Sequence, residues 1–128
     1  MTLLLDTHTF IWFDSDRSQL SSRALALVTD PANRVLLSVA TAWEMVIKHQ
    51  VGKLTLRDSI PRIVAEQVAT NRIELLDINL PHVYEVLNLP LVHRDPFDRI
   101  LAAQANVEGA SLVSSDAIFG NYPVRVEW

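Results

Sequence analysis

Four short apolar runs constrain this chain most: Thr2-Leu3-Leu4-Leu5, Arg34 to Val39 centred on Val35-Leu36-Leu37, Ile73 to Ile78, and Ser111-Leu112-Val113-Ser114. Runs of this length without polar alternation suit strands buried on both faces. Each is separated from the next by stretches whose apolar residues recur at helical spacing. Strands alternating with helices predict an α/β fold, a central parallel sheet of four to five strands with helices on both faces. The first run ends at Asp6 and the last leads to Asp116, so two carboxylates follow the C-terminal ends of predicted strands.

The intervening segments carry their own start and stop signals. A short helix spans Thr7 to Phe13, and a second, capped by Ser18 or Ser21, runs to about Val28. Thr41 to His49 forms a third, with Ala40, Trp43, Val46 and Ile47 as its apolar stripe and Gly52 after its end. Ser59 caps a fourth through Asn71, and Asn79 opens a fifth through about Leu87. A sixth runs from Pro96 to about Glu108 and is closed by Gly109. Ala117 to Tyr122 is a turn or short helix, and Val124-Arg125-Val126 a small last strand.

With 128 residues, 49% of them hydrophobic, the chain suits a single domain, 1–128, with one core. The absence of cysteine excludes thiolate metal sites, thiol nucleophiles and disulfide frameworks, and fits a cytoplasmic location. Residues 1–5 are too short an apolar run for a signal peptide, and no run approaches the roughly 18–20 residues of a membrane span. A formal charge of −4 does not coat nucleic acid, so local cations or bound metal must supply any attraction to it.

The helix beginning at Pro96 concentrates the chemistry. Asp95 stands at its N-cap, Pro96 at the first helical position and Asp98 in the first turn. Capping and the helix dipole account for one or two of these acids. Three carboxylates nonetheless converge. Parallel strands place Asp6 and Asp116 at one sheet edge, and the first turn carrying Asp98 lies at that edge too. Grouped without cations they would repel, and one would hold its proton. A divalent ion resolves the conflict, and oxygen-only ligands favour Mg²⁺ or Mn²⁺. Such an ion can activate water for attack on phosphorus. Glu44 reads in two ways: a surface pair with Lys48 at i,i+4, or a further acid of the site. No Ser–His–Asp or Cys–His arrangement competes, and with three glycines there is no phosphate-cradling loop.

The motifs together resemble the PIN-domain family, and within it the VapC-type toxins of toxin–antitoxin pairs. Leu4-Leu5-Asp6-Thr7-His8 is similar to the family's opening motif and Ser38-Val39-Ala40-Thr41-Ala42-Trp43-Glu44 to its second. Arg94-Asp95-Pro96-Phe97-Asp98-Arg99 with Ala102-Ala103-Gln104-Ala105, and then Leu112-Val113-Ser114-Ser115-Asp116, resemble the third and fourth. The resemblance implies a Mg²⁺- or Mn²⁺-dependent endoribonuclease whose acidic quartet is Asp6, Glu44, Asp98 and Asp116. It implies that Thr7 and Ser115 supply hydroxyls that orient carboxylates or bind phosphate, with Asp95 a cap beside the site and Arg99 near substrate. It further implies a cognate antitoxin protein and a homodimer.

Other residues have plainer readings. His8 is placed as structural, and Phe97 and the tryptophans as core. His93, Arg94, Arg99, Lys48 and Lys53 are cations available to phosphates, although Arg94 and Arg99 also suit pairing with Asp95 and Asp98. Asp14, Asp16, Asp30, Asp58 and Asp77 read as solvated or capping. The alternative function is a catalytically weak module of the same fold that works by binding a protein partner.

Overall fold

A computed structural model describes residues 1–92 and 94–128, so the reading of His93 falls outside the described residues. The strands are β1 (Thr2–Leu5), β2 (Arg34–Ser38), β3 (Glu74–Leu76), β4 (Ser111–Val113) and β5 (Val126–Glu127). The helices are α1 (Thr7–Ser15), α2 (Ser22–Thr29), α3 (Val39–Gln50), α4 (Ile60–Asn71), α5 (Leu80–Glu85) and α6 (Pro96–Glu108). The five strands form one sheet in the order β3-β2-β1-β4-β5, and every pairing is parallel.

The central strands β1, β2 and β4 are buried on both sides, which explains why they do not alternate in polarity. Leu3, Leu5, Val35 and Leu37 face one core with Phe10, Phe13, Met45 and Ile63. Leu4, Leu36 and Leu112 face the other, where α6 supplies Leu101, Ala102 and Ala105. The alanines let the helix lie close against the strands. The chain builds outward from β1 through β2 to β3, then returns to the other side of β1 for β4. Strand order therefore reverses at the β1/β4 crevice, the place where open α/β sheets bind ligands beyond their strand ends.

The ends of elements follow local chemistry. Ser21 caps α2 and Ser59 caps α4, each accepting from a backbone N–H three residues on. Arg17–Gln19 forms a separate short 3₁₀ turn, which excludes Ser18 as the cap of α2. The fifth helix stops at Glu85 and tightens into a 3₁₀ turn over Val86–Asn88. The third strand is shorter than predicted, as befits a sheet edge with pairing on one side. The last strand begins at Val126 because that residue pairs with Leu112.

One expectation about a helix face fails. Helix α3 begins at Val39, straight off the end of β2, and turns Ala40, Thr41, Glu44 and Met45 inward. Trp43 is 60% exposed, and Val46 and Ile47 also lie outward. Helical periodicity marks two neighbouring stripes here, and the absence of a loop after β2 fixes the helix phase so that the more polar stripe meets the sheet.

Candidate functional site

Register builds the site. Leu5 pairs with Val113, and the Asp6 N–H donates to the Val113 carbonyl at 3.2 Å. Asp6 therefore lies level with Ser114, the first residue beyond β4. Asp6 also caps α1, accepting from the Thr9 N–H at 2.8 Å. Its second oxygen accepts a short hydrogen bond from the Ser114 hydroxyl. That same hydroxyl oxygen accepts from the Asp116 N–H at 3.0 Å, so Ser114 ties the first acid to the backbone of the last. The resemblance offered Ser115 as a hydroxyl that orients carboxylates or binds phosphate; here it is Ser114 that contacts Asp6, and Ser115 is exposed. The alternation of strand residues explains the difference: Ser114 turns toward Asp6 and its successor turns away.

Asp6 is only 6% exposed. Burial pushes its carboxyl above the ordinary carboxylate range, opposed by the hydrogen bonds from Ser114 and Thr9. Asp116 lies at the surface and caps a 3₁₀ turn, Ala117–Asn121, accepting from the Ile118 N–H at 3.0 Å.

Glu44 joins this edge through Thr7. The Thr7 hydroxyl donates to Glu44 Oε1 at 2.6 Å, and Lys48 Nζ lies 2.8 Å from Glu44 Oε2. The i,i+4 pair forms, and it forms on a buried carboxylate beside Asp6-Thr7 rather than on a surface one.

Asp98 is half-buried in the first turn of α6, and Asp95 caps that helix by accepting from the Phe97 and Asp98 N–H groups. Helices α3 and α6 meet where Trp43 packs edge-on against Phe97, ring centroids 5.1 Å apart. This contact joins the residue before Glu44 to the residue before Asp98. It corrects the placement of Trp43 in the core, since the pair lines an open apolar groove with Ile47, Ile78 and Ile100. Trp12 and Trp128 are half-buried, 6.1 Å apart, and exposed His8 stands 5.6 Å from Trp12.

Arg99 is 9% exposed. Its guanidinium donates to the Pro90 carbonyl at 2.8 Å and the Val86 carbonyl at 3.3 Å, and lies over the Tyr122 ring. Sequence reading also missed two polar clusters built around buried side chains. Asp14, read as solvated, has a side chain 3% exposed that pairs with Arg57 and accepts from Gln67. His82 is fully buried; it accepts from the Asn79 N–H and meets Glu108 at 2.9 Å. The Asn79–His82 capping box is local, but the pairings of Asp14 with Arg57 and of His82 with Glu108 join separate elements, and no local pattern announces them.

Two features bear on whether a divalent cation suits these residues. The donors are all oxygens, which matches a hard ion. Asp6 is a buried carboxylate whose close partners are hydroxyl and amide donors, and the nearby Glu44 already holds an ammonium. Both acids call for positive charge, so the set fits in kind. As the side chains stand, no three of His, Cys, Asp or Glu among the described residues gather closely enough to hold a metal. Filling the site requires carboxylates to turn.

A five-stranded parallel sheet with acids at the crevice of its central strands defines a recognisable class. The PIN domain profile matches residues 3–124, and the chain belongs to that family. Its fold is similar to VapBC2 from Rickettsia felis bound to a promoter DNA fragment, at 18% identity and TM-score 0.75, covering 99% of this chain and 98% of that one. It is also similar to DNA-bound VapBC from Salmonella typhimurium, at 20% identity and TM-score 0.69, covering 99% and 97%. FitAcB from Neisseria gonorrhoeae matches at 21% identity and TM-score 0.63, covering 97% and 95%. At these identities the likeness is one of fold. No curated protein matches the sequence.

Proposed function

We propose that this chain is a Mg²⁺- or Mn²⁺-dependent endoribonuclease, the toxin of a toxin–antitoxin pair. The observation that carries the reading is the buried Asp6 carboxylate at the β1/β4 crevice, linked through Ser114 to Asp116 and through the adjacent Thr7 to Glu44. Asp6, Glu44, Asp98 and Asp116 would hold the ion. The ion's chemistry there is to polarise water and to offset charge on the scissile phosphodiester. The protein's part is orientation. Ser114 and the Thr9 N–H fix the Asp6 oxygens, Thr7 fixes Glu44, and Asp95 holds the first turn that carries Asp98. Held hydrogen bonds keep carboxylates in place without reorganisation during reaction.

The solved neighbours that carry VapBC names support a protein partner, and an arginine-bearing antitoxin segment suits an acidic crevice. A homodimer fits the exposed apolar side chains of Trp43, Leu87 and Leu91. We place the protein in the cytoplasm; no helix among the described residues is long and apolar enough to cross a membrane. The spacing of the acids as they stand also favours a second reading, a weakly catalytic module that acts by binding its partner.

One experiment separates them. Purified protein should cut single-stranded RNA in Mg²⁺ or Mn²⁺ and stop on chelation. Asp6→Asn and Asp98→Asn should each lose more than about a hundredfold, beyond the 10–100-fold typical of groups that only support metal ligands. Variants that cut as fast as wild type would sink the nuclease reading.

A further inference from the structure

We propose that Lys48 is a positioning residue with two partners in turn: Glu44 while the acidic crevice lacks metal, and a phosphodiester oxygen of the RNA once a divalent ion has taken Glu44. This rests on the nuclease reading and adds to it a specific route by which an acidic protein attracts an anionic substrate.

The geometry carries the idea. Glu44's side chain is 8% exposed, and both of its oxygens are engaged, one by the Thr7 hydroxyl at 2.6 Å and one by Lys48 Nζ at 2.8 Å. Thr7 is neutral and buried at the start of α1. Lys48 is the charged partner, and its side chain is 36% exposed. Helical side chains lean toward the N-terminus, so Lys48 reaches back along α3 toward the end nearest the strand ends. An ammonium on a flexible four-carbon stem is a mobile point charge, unlike a forked guanidinium fixed on two partners. A divalent ion at Glu44 would repel it, and its exposure gives it an open path to solvent.

Several other cations are already engaged elsewhere. Arg57 is committed to Asp14 and Glu66, Arg34 to Glu74, Arg23 to Glu127, and Arg99 to two backbone carbonyls. Lys48, by contrast, is ion-paired to a candidate metal ligand. Its release is therefore coupled to the site's filling: positive charge becomes available to phosphate when the ion arrives.

The test uses the whole chain as wild type, Lys48→Gln and Lys48→Arg. Calorimetric titration with Mn²⁺ alone reads the competition for Glu44. Stopped-flow anisotropy with a labelled single-stranded oligoribonucleotide, which reads binding ahead of cleavage, is run over a salt series with and without Mn²⁺. Lys48→Gln should bind Mn²⁺ several-fold more tightly than wild type. With Mn²⁺ present, its RNA affinity should fall about tenfold and its salt slope by about one, the signature of one lost phosphate contact. Without Mn²⁺ the two proteins should bind RNA alike, and Lys48→Arg should restore the slope. A Lys48→Gln protein whose Mn²⁺ affinity is unchanged or weaker, or whose salt slope in Mn²⁺ equals that of wild type, overturns the proposal and leaves the nuclease reading standing. A wild-type protein that binds no Mn²⁺ overturns both.

Discussion

Replacing Arg99 with alanine should cost stability before it costs substrate affinity. The side chain is 9% exposed and donates to the Pro90 and Val86 carbonyls at 2.8 and 3.3 Å. Hydrogen bonds from a charged donor contribute roughly 1.5–3 kcal/mol each. Pro90 is exposed and Val86 half-buried, so water can replace part of this, and the low end applies to both. The cation–π contact with Tyr122, at 5.9 Å, adds less than about 1 kcal/mol. The sum is about 3 kcal/mol, which for a domain of this size lowers the thermal midpoint by roughly 10 °C. Urea unfolding followed by circular dichroism should show a lower midpoint with unchanged slope. Arg99→Lys, which reaches one carbonyl without the fork, should recover about half. A loss within about 0.5 kcal/mol, the range of an uninvolved surface change, together with a raised KM for RNA, would refute this and make Arg99 a substrate contact.

Two further outcomes follow from the buried polar groups. Burial holds the Asp6 carboxyl above its ordinary value of 3.8, so folding favours its protonated form. That contribution is fully present below the unfolded value and is lost as pH rises through the folded one. Asp6→Asn should therefore be more stable than wild type at neutral pH without metal, with the gap closing toward pH 4, as read by urea midpoints across the range; a gap that widens on acidification would show the sign is wrong. Asp14→Ala strips a partner from Arg57 and leaves the Gln67 amide without its acceptor, and should cost about 1–3 kcal/mol in the same assay; a neutral result would mean water replaces the carboxylate.

The positions of Asp6, Asp95 and Asp116 at element ends were legible because they are tied to local signals. Asp6 and Asp116 follow apolar runs, and Asp95-Pro96 announces a helix start. The contact of Ser114 with Asp6 was not legible, since Ser114 and Ser115 differ only in which side of the extended chain they face. Lys48 and Glu44 were visible as a pair, but burial of that pair was not. Trp43 was assigned to the core because periodicity identifies a stripe and cannot say which neighbour meets it.

The order of short apolar runs and capped helices was enough by itself to set a parallel α/β sheet, because local backbone preferences and hydrophobic period act within a few residues. Which strands became neighbours, which face of α3 turned inward, and the meeting of Asp6 with Ser114 and Thr7 with Glu44 were decided by tertiary structure. Those contacts join residues 37 and 108 positions apart. Their geometry depends on sheet register and helix phase, which no local stretch of chain encodes.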